Sequence, residues 1–141
     1  MNGFGFVVSV LCLAASFAAS ADALTTLNDA TAFQKAQKDI ATVSKAELDV
    51  LSEALATCSA VSIGQRMQQY ECERSLNIYW MRYNRGRALD EYLEATGGLF
   101  AAFDNNALNP SPEMTGAYRR TASNLVALMK SVNERYHQVE K

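Results

Sequence analysis

The sequence predicts an all-α protein: a disulfide-pinned bundle of four to five helices around one long central helix, behind a cleaved signal peptide. Three observations carry this reading. Punctuation is sparse, with seven glycines and two prolines in 141 residues, and both prolines, Pro110 and Pro112, fall in one linker. Apolar residues recur at helical spacing through most of the chain. Of three cysteines, two (Cys58 and Cys72) lie beyond the apolar leader, an even count that suits one disulfide.

The leader comes first. Phe4 to Phe17 is an apolar run without charge, and Ala18-Ala19-Ser20-Ala21-Asp22-Ala23 after it offers two A-x-A exits. A hydrophobic stretch too short to span a bilayer, followed by small residues, is the layout of a signal peptide. Residues 1–21 are therefore expected to be removed, leaving 22–141 as a single helical domain with no stable membrane anchor. Met1 to Gly5 holds no Lys or Arg, so the positive start rests on the terminal amine alone.

The first helical segment runs from about Thr26 to Val43, with Phe33, Ala36, Ile40 and Val43 on one face. Ser44-Lys45-Ala46-Glu47 then reads as a capping box, either restarting the helix or solvated within a longer one. Leu48, Leu51, Leu55 and Cys58 form the next stripe. Ser62-Ile63-Gly64-Gln65 is a second capping-box pattern, opening the long central helix from Ile63 to Ala95. At 100° per residue, Cys72, Leu76, Tyr79 and Tyr83 share one arc, with Trp80 at its edge. Ile63, Met67, Tyr70, Met81, Ala88 and Tyr92 fall opposite, so this helix should be sandwiched between neighbours. Gly97-Gly98 is expected to end it, and Leu99 to Phe103 to form a short buried helix. Asp104 to Pro110 reads as a polar loop. Ser111-Pro112 supplies a cap and a proline for the first helical position. From there Met114, Tyr118, Thr121, Leu125, Leu128, Val132 and Val139 make a stripe to the C-terminus.

The cysteines add a constraint. Cys12 leaves with the leader, and two thiols in an exported chain pair with each other more readily than they make a metal or redox site. Closing a loop of about fifteen residues stabilises the fold by roughly 3 kcal/mol in the chain-entropy model. Yet helices that end near Cys58 and restart near Ile63 put Cys72 about 15 Å up the second helix. The bridge then needs extended chain at Ser59 to Val61 or a steep crossing.

The functional reading is mostly by exclusion. A net charge of −2 gives no global field for nucleic acid or an anionic membrane. The sequence lacks H-E-x-x-H, G-x-S-x-G, P-loop and C-x-x-C-H patterns, and no metal or cofactor is implied. Asp90, Glu91 and Glu94 resemble a solvated helix face more than the paired acids of a glycosidase. His137 stands without a second ligand or a Cys near it. The best site candidates are Trp80, Arg82, Arg85 and Arg87, residue types that dominate protein-binding hot spots. Cys58, Cys72 and the segment Trp80-Met81-Arg82-Tyr83 resemble, over about thirty residues, the helical cysteine domain of LprI-type lysozyme inhibitors. Here that segment comes sooner, Asn84 stands where an arginine should follow, and a further cysteine is absent. The expectation is a periplasmic or secreted, non-enzymatic interaction protein with an unidentified protein partner: an inhibitor, immunity factor, accessory subunit or effector. A helical binding module for a small apolar ligand is the alternative, and an envelope hydrolase comes third.

Overall fold

A computed structural model describes residues 23–62, 64–84, 86–105 and 109–140, and the expected leader, residues 1–21, lies outside them. The described residues are all-helical. After a helical segment at 23–28 come α1 (Ala30–Ile40), α2 (Lys45–Ser59), α3 (Arg66–Arg82), α4 (Arg87–Asn105) and α5 (Pro112–Val139). They close into a ring in which α1 packs on α4, α4 on α3, α3 on α2, α2 on α5 and α5 on α1, while α4 also reaches α5.

Local chemistry sets most of the boundaries. The Asp29 side chain caps α1 by accepting the Thr31 N–H at 2.9 Å. Ser44 does separate two helices: its hydroxyl accepts the Glu47 N–H at 3.4 Å and opens α2. The buried Glu47 carboxylate accepts the hydroxyl of fully buried Tyr79 at 2.9 Å. Leu48, Leu51, Leu55 and Cys58 are buried as their spacing requires. Ser111 caps α5 through the Met114 N–H at 3.2 Å, with Pro112 as the first helical residue. Along α5, Tyr118, Thr121, Leu125, Leu128 and Val132 face the core. The Tyr118 ring meets Phe100 and Phe103, with ring centroids 5.5 and 5.1 Å away, and its hydroxyl donates to the Val61 carbonyl.

The long central helix does not exist. Its stretch is divided between α3, which ends at Arg82, and α4, which begins at Arg87, and Gly86 just before α4 takes φ +78°. Only glycine adopts that conformation without strain. The carboxylate of Asp39, on α1, then caps α4 from outside by accepting the Leu89 N–H at 2.9 Å. Nor does Gly97-Gly98 end a helix. Both glycines lie inside α4, which continues through Leu99–Phe103 as one piece. Ser62 likewise caps nothing. Gln65 holds the N-cap position of α3 without a side-chain bond, because Gly64 (φ +85°) has already redirected the chain.

That redirection resolves the disulfide problem. Cys58 and Cys72 are bonded, with Cα atoms 4.6 Å apart. Since α3 starts at Arg66, Cys72 is only about 9 Å along it at 1.5 Å per residue, and Val61, Ser62, Gly64 and Gln65 before it are not helical.

Candidate functional site

Trp80 stands at a concavity of the described residues. It is half-buried in a wall of a cavity of about 610 Å³ between α3, α4 and the segment 23–28. The cavity exists because α4 presents small residues there: Ala95, Gly97, Gly98 and Ala101 all line it. A Cβ on Gly97 would stand 3.5 Å from Leu76 Cδ1, and one on Gly98 would stand 3.5 Å from the Ala23 Cβ. The polar lining is acidic. Glu73 comes from α3, and Glu91 and Glu94 come from α4, beside Thr26 and Asn77.

The arginines lie elsewhere. Arg87 is exposed and bonds Glu91 through its Nε at 2.8 Å, an i,i+4 pair at the start of α4. Arg82 is exposed on the far side of α3, about 160° around the helix from Trp80. Trp80 and Arg82 therefore belong to different surfaces. Arg85 lies outside the described residues.

The surface that Arg82 borders is the second finding. Met67, Tyr70 and Met81 were expected to be covered, yet they are 73, 60 and 86% exposed, and Ile78 on the same side is 37% exposed. The reason is the break between α3 and α4. It folds α4 back onto the side of α3 next to Trp80, so α2 and α4 cover one half of α3 and nothing described covers the other. Arg74 stands in the middle of this outward stripe, 3.9 Å from Glu71, and Arg66 and Arg82 flank its ends.

A third cluster faces inward and separates carboxylates that are adjacent in sequence. Burial, then the negative charges of Glu47, Asp39 and Glu94, pushes the Asp90 carboxyl up from 3.8 to about 6. Asp90 thus looks towards α1 and α2, while Glu91 and Glu94 line the cavity. Among the described residues no three ligating side chains converge on a point where they could hold a metal ion.

Reasoning from sequence passed over Glu73, Gly97, Gly98 and Ala101. The available signal was the spacing of Ala95, Gly98 and Ala101 inside a helix, which reads as a close-approach stripe rather than a terminus. Compared with protein-family models, curated proteins and solved structures, the chain matches none.

Proposed function

We propose that this chain is an exported, non-enzymatic interaction protein that engages an acidic partner protein through the outward face of α3. The observation that carries the proposal is the exposure of Met67, Tyr70, Ile78 and Met81 along one helix face. Fourteen residues separate the two methionines, a stripe of about 21 Å at 1.5 Å per residue. Tyr, Met and Arg are enriched at protein interfaces, and methionines adapt to irregular partner surfaces. The Cys58–Cys72 bridge suits an oxidising compartment.

The charges argue for a different partner rather than a second copy. A two-fold pairing of the stripe in antiparallel register opposes Arg74 to Arg74 and Arg66 to Arg82. A parallel pairing opposes each arginine to itself. Either arrangement desolvates like charges, which costs several kcal/mol by rough order. A partner with acidic residues around an apolar ridge meets Arg82 favourably.

The test uses the oxidised protein with Met67→Glu and Met81→Glu combined. Both side chains are exposed, so circular dichroism and thermal stability should stay unchanged. Capture of an acidic partner from the exported-protein fraction should fall by about tenfold or more, as for loss of hot-spot contacts. Undiminished capture by the variant refutes the proposal, as does a stable homodimer in sedimentation. A second reading, a binding module for a small ligand with an apolar body, is favoured by the cavity beside Trp80.

A further inference from the structure

We infer that Met67 and Met81 form a paired methionine-oxidation site, at which a hydroperoxide adds one oxygen to each sulfur and turns the apolar face of α3 polar. The effect on docking rests on the function proposed above, while the chemistry stands on exposure alone.

The described residues hold four methionines, and the fold sorts them into two pairs. Met67 and Met81 are 73 and 86% exposed. Met114 and Met129, both on α5, are half-buried and pack against the core. The Met129 sulfur also accepts the Ser59 hydroxyl at 3.3 Å, which engages a lone pair that an oxidant needs. Oxidation of a thioether requires the peroxide to reach the sulfur, so the two pairs should differ in rate.

Placement gives the reaction a consequence. At 100° per residue, positions 67, 70, 74, 78 and 81 lie within about 80° around α3, and the two methionines hold the ends of this stripe. Sulfoxidation converts a flexible apolar side chain into a polar one. With both ends changed, only Tyr70 and Ile78 remain apolar, and the adaptable residues are gone. Leucine matches methionine in helix propensity and nearly in volume, yet has no oxidisable sulfur. A purely apolar contact therefore does not require methionine at either end.

The step balances with the hydroperoxide as its only co-reactant. A sulfur lone pair attacks one peroxide oxygen, the O–O bond breaks, and that oxygen stays on sulfur as the sulfoxide. The peroxide proton passes to the departing oxygen. Sulfur is oxidised by two electrons, and the hydroperoxide is reduced to its alcohol, or to water for hydrogen peroxide. The cysteines do not compete, because Cys58 and Cys72 are already bonded to each other and both are buried.

The experiment treats the folded, disulfide-intact protein with dilute hydrogen peroxide and follows each methionine by peptide mass. Met67 and Met81 should gain oxygen at least about tenfold faster than Met114 and Met129, and unfolding in urea should bring the four rates together. Circular dichroism and the thermal midpoint should stay unchanged once the fast pair has reacted. Retention on a phenyl hydrophobic-interaction resin, the probe for the exposed face, should then fall for the parent. It should stay fixed for the double variant Met67→Leu, Met81→Leu under the same peroxide treatment. Equal rates for all four methionines in the folded protein overturn the site. Fast oxidation of Met67 and Met81 with unchanged retention overturns its effect on the face. The docking reading stands or falls separately, on capture by the variant with Met67→Glu and Met81→Glu, which involves no oxidant.

Discussion

The four substitutions Gly64→Ala, Gly86→Ala, Gly97→Ala and Gly98→Ala should divide by sign, and that division tests the architecture directly. Gly64 and Gly86 hold φ +85° and +78°. An alanine forced into the left-handed region costs roughly 1–2 kcal/mol. Space is not the issue at Gly64, where a Cβ meets nothing within 4 Å, so the cost there is purely that of the backbone. At Gly86 the nearest atom is Asp39 Oδ2 at 3.7 Å, which is also ordinary contact. Gly97 and Gly98 lie inside α4 without positive φ, and alanine there should stabilise by roughly 0.5–1 kcal/mol each through helix propensity. Urea unfolding of the oxidised protein reads all four. For a slope of about 2 kcal/mol/M, the midpoint should rise by roughly 0.3–0.5 M for the α4 variants and fall by roughly 0.5–1 M for the other two. If Gly97 or Gly98 ended a helix in left-handed conformation, its alanine variant would instead lose stability like Gly86→Ala. That result would refute a continuous α4, and with it the floor of the Trp80 cavity.

The remaining expectations are shorter. Cys58→Ala should cost about 2–5 kcal/mol under oxidising conditions, and peptide mapping without reduction should show Cys58 linked to Cys72. Leu76→Ala empties a fully buried position and should cost about 2–5 kcal/mol; Trp80→Ala, at a half-buried cavity wall, should cost clearly less in the same denaturation assay. Asp90 has its folded pKa raised to about 6 from 3.8, so its contribution is fully present below about pH 4 and is lost as pH rises through 6. Asp90→Asn should therefore be more stable than the parent at pH 8, with the advantage closing towards pH 4, and a gain equal at both pH values would contradict that cause. Ala23 and Leu27 are buried in the core, so if the chain is exported with its leader removed, as proposed, intact mass should begin at Asp22 rather than at Leu24.

Features that depend on neighbouring residues were readable from the chain. The Ser111 cap, the α2 and α5 stripes and the cysteine pairing are decided within a turn or two, or by parity, whereas the capping pattern at Ser44 left open whether one helix or two ran through it. The break between α3 and α4 was not readable, for a reason of phase. Residues 83–86 span four positions, close to one helical turn, so the apolar pattern before Tyr83 resumes after Gly86 almost in register. Ala88 and Tyr92 then look like a continuation of the Met67 and Met81 face, although Tyr92 is buried in α4 and the methionines are exposed on α3. Gly97-Gly98 misled similarly. A glycine pair signals a helix end or a close approach equally well, and only Ala23 and Leu76, far away in sequence, distinguish the two. The cavity combines both difficulties, since Glu73 meets Glu91 and Glu94 only once the turn at Gly86 is known.

Periodicity establishes that a helix has an apolar face, but it is silent on what covers that face. The break between α3 and α4 commits α4 to the Trp80 side of α3, and the ring closes through α1 and α5 without returning to Met67 or Met81. A single four-residue turn therefore produces both candidate surfaces at once. It folds Glu91 and Glu94 over beside Glu73 and Trp80, and it strips the opposite face of α3 of any cover among the described residues. The two surfaces carry opposite charge, acidic in the cavity and arginine-rich outside, on a chain whose net charge is only −2. Overall charge argues against nucleic acid as a partner but conceals this local division. Substitutions on one side, such as Met67→Glu, should therefore leave binding on the other side unchanged, because α3 separates them by its full width.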